Sequence, residues 1–218
     1  ADRIGELLAP AAAGDITVQQ YVEVAEQVGA ASRWVKRVIP RGVPAGEGAD
    51  TPDLAVSLAR TDVVLHEGWV EAVAAGLPAI GRAAELAQAV RRLLEARHEL
   101  WEGMLGAFWY LSYTFPGADA QYPHTDVPEE EGGQYYTLSV PLRGNGRCIQ
   151  AFHGGTDPEA PGPRLDHPAL AEGPVVFCGT AVHCGEAYEP NQEGSAEPLV
   201  SLCVTLTDNE VDVNHADT

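Results

Sequence analysis

The period of hydrophobic and polar positions changes part-way along this chain. Up to about residue 112, apolar residues recur mainly at helical spacing. Val18, Tyr21, Val22, Ala25 and Val28 follow Thr17-x-x-Gln20, a pair that fits a helix-capping box. The strongest helical signal runs from Ala83 to Trp101. There Leu86, Val90, Leu93, Leu94 and Trp101 form one stripe opposite Glu85, Arg92, Glu95 and Glu99. A weaker helical stretch is expected from Asp53 to about Ala75, after a glycine- and proline-rich loop between Pro40 and Pro52.

Beyond Trp101 the texture becomes that of short strands separated by turn residues. Phe108 to Phe115 is aromatic and strand-prone. Tyr135 to Leu142 alternates, with Tyr136, Leu138, Val140 and Leu142 on one face and Thr137 and Ser139 on the other. Gly144-Asn145-Gly146 reads as a tight turn into a strand from Arg147 to Phe152, which predicts a hairpin between these two runs. A polar, proline-rich excursion is expected from His153 to Gly173. Strands then follow at Pro174–Cys178, around His183, and at Pro198–Thr207. Helices first and many short strands later argue for an α+β fold whose strands form a sandwich or jelly roll. A mainly helical support region, 1–107, would buttress a strand-rich core, 108–218.

Within that pattern His124-x-Asp126 is the stretch with chemistry. In extended chain this spacing puts an imidazole and a carboxylate on the same side. With a second histidine, such a pair makes the 2-His-1-carboxylate facial triad of non-haem Fe(II) oxygenases, which leaves coordination positions open. His183, just after the Gly179-Thr180 turn, is the histidine that jelly-roll topology can bring beside it. His66 and His98 lack a partner at ligand spacing and read as ordinary helix-surface residues.

Composition narrows the partners. The 218 residues carry a formal net charge of −19, and no Lys or Arg follows Arg164. That charge repels phosphate backbones and argues against a nucleic-acid partner. Glu129, Glu130 and Glu131 read as a solvated loop. Cys148, Cys178, Cys184 and Cys203 include no C-x-x-C pair, which argues against structural zinc; the first, second and fourth read as buried free thiols. No apolar run approaches the ~20 residues that span a bilayer, and no basic-then-apolar start is visible. A cytoplasmic protein without a membrane partner is the expectation.

From about Phe108 to Asp208 the chain resembles the 2-oxoglutarate/Fe(II)-dependent dioxygenases, especially their prolyl-hydroxylase branch. Tyr113-x-x-x-Gly117, then Tyr122 and His124-x-Asp126-x-Pro128, is similar to that branch's Y-x-x-x-G…Y-x-x-H-x-D-x-P. Gly173-Pro-Val-Val-Phe-Cys-Gly-Thr-Ala-Val-His183 is similar to its strand–turn–His segment. The resemblance implies a double-stranded β-helix, iron held by His124, Asp126 and His183, and hydroxylation or a related oxidation of a small-molecule or peptide substrate. It implies that Tyr113 lines the co-substrate pocket.

One part of the pattern is missing. Most members carry an Arg or Lys on the final strand for the distal carboxylate of 2-oxoglutarate, with a serine two residues on. Here Leu199-Val200-Ser201 keeps the serine without the cation. A buried carboxylate needs a charge-assisted partner. Three readings stay open. Arg147 could supply the cation from another strand; the enzyme could use another reductant such as ascorbate, with Ser201 among the groups that hold it; or the chain could be a non-catalytic jelly-roll binding module.

Overall fold

Two helices, α1 (Arg3–Ala12) and α2 (Val18–Ala31), open the chain on either side of the short strand β1 (Asp15–Thr17). The computed structural model describes residues 3–41, 55–66, 69, 82, 85–86, 88–89, 92, 106–126, 135–143, 149–154, 157–168, 173–189 and 197–207. The capping box at α2 forms as its sequence requires. The Thr17 Oγ1 accepts from the Gln20 amide at 3.2 Å, and the Gln20 Oε1 accepts from the Thr17 amide at 2.9 Å. Of the long helix expected over 83–101, residues 85, 86, 88, 89 and 92 are helical, and the rest lie outside the described residues.

The strands follow as β2 (Val35–Pro40), β3 (Ala55–Ser57), β4 (Arg60–Leu65), β5 (Gly106–Thr114), β6 (Tyr135–Arg143), β7 (Ile149–His153), β8 (Arg164–Pro168), β9 (Val175–Cys178), β10 (His183–Gly185) and β11 (Leu199–Thr207). Six of them make one antiparallel sheet in the order β2-β4-β5-β11-β6-β9. Three make a second antiparallel sheet, β10-β7-β8, and β1 pairs with β3. The result is an α+β fold with N-terminal helices and a large antiparallel sheet, consistent with a double-stranded β-helix architecture. No closed barrel is seen among the described residues. No helix among them is long and apolar enough to cross a membrane.

Strand alternation sorts the large sheet into two chemically different faces. Leu111 and Tyr113 of β5, Leu138 and Val140 of β6, and Leu202 and Val204 of β11 join Leu8 of α1 and Val28 of α2 in one buried core. The opposite face carries Ser112, Thr114, Thr137, Ser139, Ser201 and Cys203. The helices therefore cover the apolar face, and the polar face is left for the site. The Tyr21 hydroxyl donates to the Val38 carbonyl at 2.5 Å and ties α2 to β2 at the sheet's edge.

Three sequence expectations are corrected. Within the weak helix expected from Asp53 to about Ala75, residues 55–57 and 60–65 are strands and Trp69 is helical, while 53–54, 67–68 and 70–75 lie outside the described residues. Every residue of β4 is buried, because it lies inside the sheet between β2 and β5, and a strand covered on both faces loses the alternation that would mark it. The expected hairpin between β6 and β7 does not form. β6 pairs with β11 and β9 and β7 with β10 and β8, so the chain changes sheets between them. The excursion from 153 to 173 contains β8, paired along its length with β7. In addition, β5 begins at Gly106, and its neighbour β4 comes from the first part of the chain, so the large sheet draws on residues both before and after 107.

The central strand β11 sets the expected mutational response. Leu202 is fully buried on its core face, so Leu202→Ala is expected to destabilise the fold by about 2–5 kcal/mol. Val18→Ala, at a half-exposed position of α2, is expected to stay within about 0.5 kcal/mol of the parent, apart from its small gain in helix propensity. Urea unfolding of the two variants measures the contrast.

Candidate metal centre

His124 and His183 are brought together by their own backbones. The His124 amide donates to the His183 carbonyl at 2.9 Å, and the His183 amide donates to the His124 carbonyl at 2.8 Å. This reciprocal antiparallel pair is the narrow kind that places opposing side chains on one face. Their ring centroids lie 4.5 Å apart. Two residues on, the Asp126 amide donates to the Gly179 carbonyl at 2.8 Å, which holds the carboxylate beside the imidazoles. One ligand atom from each of His124, Asp126 and His183 lies within 4.8 Å of the other two. The three expected ligands are thus one cluster, although His124 and Asp126 sit on a bridged, extended segment rather than within a long strand.

The donor set suits a divalent metal. His124 directs Nδ1 to the Tyr122 carbonyl at 2.8 Å, and His183 directs Nδ1 to the Ala181 carbonyl at 2.9 Å. A carbonyl can only accept, so each Nδ1 carries the proton and each Nε2 keeps its lone pair for the centre. The Thr137 hydroxyl donates to Asp126 Oδ2 at 2.5 Å, leaving Oδ1 on the side of His183 Nε2, 3.5 Å away. Two neutral imidazole nitrogens and one carboxylate oxygen, with no further ligand among the described residues, match the 2-His-1-carboxylate set used for Fe(II).

The electrostatics prepare the same atoms. Burial works to raise the Asp126 pKa, but hydrogen bonds from His183 and Thr137 and the nearby imidazoles outweigh it and hold the carboxyl below its ordinary value. Burial works to lower His183, and the adjacent Asp126 carboxylate outweighs it and raises the imidazole above its usual pKa. His124 is lowered, first by burial and then by the charge on His183. In the metal-free site the proton therefore resides on His183 as pH falls.

A second set of contacts zips together the segments that bear the ligands. The Gly117 amide donates to the Tyr188 carbonyl, the Tyr188 amide to the Ala118 carbonyl, and the Gln121 amide to the Gly185 carbonyl. The Gln121 side-chain oxygen accepts the Gly185 amide in return, at 2.9 Å. Arg60 of β4, buried against this seam, donates from Nε to the Asp119 carbonyl at 3.0 Å and from Nη2 to the Glu186 carbonyl. A Cβ at residue 185 would lie 2.6 Å from Arg60 Nη1 and 2.8 Å from Gln121 Oε1, so a larger residue there would displace the ends of both side chains.

The metal cluster opens into a cavity floored by the polar face of the large sheet. Register places Asp62, Ser112 and Ser201 in one row across β4, β5 and β11, and Tyr110, Cys203 and Ser139 in the next across β5, β11 and β6. Arg41 enters from the end of β2, where its Nε donates to Asp62 Oδ2 at 2.6 Å. Burial pushes the Cys203 thiol up to about 12 in the metal-free site, and its sulfur is not among the converging ligand atoms.

The remaining sequence candidates fall in different places. Ser201 lines the cavity. Tyr113 does not: it is 1% exposed, stacked on Phe115 in the core on the other face of β5, because its neighbours Ser112 and Thr114 take the cavity side. Arg147 and Cys148 lie outside the described residues, as do His98 and the loop with Glu129, Glu130 and Glu131. His66 is exposed and is not part of the ligand cluster. Cys178 is exposed rather than buried, whereas Cys184 and Cys203 are buried. Arg41, Arg60, Asp62 and Thr137 were not singled out as site residues. The alternation of Thr137 with Leu138 marked its face, but nothing local marks Arg60 and Asp62 as facing a cavity formed by strands far along the chain.

No family model matches the chain, and no curated protein matches it. Solved structures to which it is similar include oxalate oxidase in complex with the substrate analogue glycolate, at 12% identity and a TM-score of 0.34, over 48% of this chain and 44% of that one. A Pseudomonas putida prolyl-4-hydroxylase aligns at 13% identity and a TM-score of 0.49, over 94% of this chain and 100% of that one. AviO1 from Streptomyces viridochromogenes Tue57 aligns at 15% identity and a TM-score of 0.46, over 97% and 87%. The matched region spans less than half of the oxalate oxidase chain. At these identities and TM-scores the likenesses assign no activity.

Metal binding should reflect the proton on His183. Because its pKa is raised in the metal-free protein, Mn(II) affinity is expected to fall as pH drops through that value, with proton release per metal bound rising from about zero above it towards one below it. Calorimetry in buffers of different ionisation enthalpy measures the release. Thr137→Val should weaken Mn(II) binding by roughly 10–100-fold without unfolding the protein, since it removes the bond that orients Asp126.

Proposed function

We propose that this protein is a non-haem Fe(II)-dependent dioxygenase that uses 2-oxoglutarate to hydroxylate, or otherwise oxidise, a carbon centre of a small-molecule substrate. The observation that carries this reading is the His124–Asp126–His183 cluster, with three converging ligand atoms and an adjoining cavity of polar side chains. Three protein ligands leave coordination positions for a chelating co-substrate and O₂. When bound, iron with O₂ would supply the chemistry in which 2-oxoglutarate is converted to succinate and CO₂ while a substrate C–H becomes C–OH.

The chain's own residues would do the holding and orienting. His124 and His183 present Nε2, their tautomers set by the Tyr122 and Ala181 carbonyls. Asp126 presents Oδ1, its other oxygen occupied by Thr137. Arg41 supports the choice of a dicarboxylate. Among the described residues, its guanidinium makes one hydrogen bond, from Nε to Asp62, and its remaining N–H groups are available at a cavity that also holds the ligand cluster. A guanidinium fixed by a carboxylate on one edge can receive another carboxylate on the next. Arg60 is less suited, because its Nε and Nη2 are engaged by the carbonyls of Asp119 and Glu186. Arg147 is the competing anchor, and the two are separable by mutation.

His124→Ala and His183→Ala are expected to abolish Fe(II) binding and O₂ uptake. Retained iron affinity in both variants would overturn the site. With iron present, succinate should be released from 2-oxoglutarate. Arg41→Gln should weaken 2-oxoglutarate binding by at least about tenfold while metal affinity stays within a few-fold, since a charge-assisted bond contributes about 1.5–3 kcal/mol. An unchanged affinity in Arg41→Gln with a loss in Arg147→Gln would move the anchor to Arg147. Substrate oxidation without succinate would identify a different reductant.

A further inference from the structure

The small sheet carries a row of side chains that leads outward from the metal cluster. His183 of β10 is the register partner of Phe152 of β7, and Phe152 is the register partner of Leu165 of β8. Register partners share a face, so His183, Phe152 and Leu165 form one line across three strands. Cys184, Ala151 and Asp166 form the adjacent row on the opposite face. Phe177 of β9 reaches the line from the large sheet. Its ring centroid is 4.7 Å from that of His183 and 5.2 Å from that of Phe152, the latter edge-to-face.

Burial falls along this line in one direction. His183 is 4% exposed, Phe152 is intermediate, and Leu165 is 69% exposed at the strand farthest from the metal ligands. A single exposed leucine is ordinary. A leucine that continues a register line from a candidate metal-ligating histidine through an aromatic ring is a different case, because the line ties it to the ligand cluster. Phe152 and Phe177 also hold the His183 ring by packing, a task that Leu165, one strand farther out, does not share.

The two approaches to the centre therefore differ in kind. The floor of the cavity offers hydroxyls, Asp62 and Arg41, which suit a small charged co-substrate. The row outward from His183 is carbon at Phe152 and Leu165. We propose that Phe177, Phe152 and Leu165 form the substrate platform, and that the substrate presents an uncharged apolar ring or alkyl chain there with the carbon to be oxidised next to His183. The inference rests on the metal-centre reading above and adds the class of substrate.

Indole, an uncharged aromatic probe, with Mn(II)-loaded protein tests the platform by proton relaxation. The bound Mn(II) is expected to enhance relaxation of indole protons, and Leu165→Asp should weaken indole binding about tenfold, equivalent to the loss of roughly one buried leucine contact. Mn(II) affinity and the circular dichroism spectrum should be unchanged in that variant, since Leu165 is exposed. Phe152→Ala should weaken indole binding as well, and Arg41→Gln should not. An undiminished enhancement in Leu165→Asp, or none in the parent protein while Mn(II) is bound, overturns the platform and leaves the metal centre standing. Failure of the parent protein to bind Mn(II) overturns the metal-centre reading and the platform with it.

Discussion

The site depends on one pair of backbone hydrogen bonds, those exchanged between His124 and His183. Each is an ordinary amide–carbonyl bond with a net contribution of about 0.5–1.5 kcal/mol. Their importance is geometric. They join a segment that follows β5 to one that follows β9, and they fix which residues face each other across the seam. A slip of one residue would turn either imidazole away from the other. The adjoining bonds at Gly117, Ala118, Gln121 and Asp126 tie the same two segments at further points, with a one-residue offset between the Ala118–Tyr188 and His124–His183 bridges.

Arg60 adds a different kind of constraint. Its guanidinium crosses from the large sheet to carbonyls on both segments, and Gly185 provides the space for it. A buried cation that meets backbone carbonyls on two sides resists separation of the two strands, because separation would leave its donors unpaired. The large sheet is then both floor and fastening. Its apolar face receives α1 and α2, and the polar face carries the cavity, the Asp62–Arg41 pair and Thr137, which orients Asp126.

Much of this was legible where local pattern and tertiary role agree. The alternation in Tyr135–Leu142 assigned Thr137 and Ser139 to the face opposite Leu138, and the Thr17–Gln20 pair marked the start of α2. The i, i+2 spacing of His124 and Asp126 and the turn before His183 were sufficient to assemble the ligand cluster. What was not legible depends on long-range partners. β4 is concealed because neighbours cover both of its faces, and its Arg60 and Asp62 acquire meaning only beside strands far along the chain. The failed β6–β7 hairpin has the same cause, since a turn signal cannot report that a later nine-residue strand offers a better partner. Tyr113 shows the converse error. A tyrosine in an aromatic strand carries no mark of its face, and here the core claimed it.

The position of β11 has a consequence for how the molecule is made. It is the last described strand along the chain, yet it lies in the middle of the large sheet, between β5 and β6. Until residues 199–207 have left the ribosome, β5 and β6 each expose an unpaired edge, with Leu111 and Leu138 uncovered beside it. Closure therefore waits for residues 199–207 and rests on contacts far apart in sequence, a topology that folds slowly and is prone to aggregate while open. The cavity beside the ligand cluster, whose floor includes Ser201 and Cys203, can be completed only after that strand is inserted.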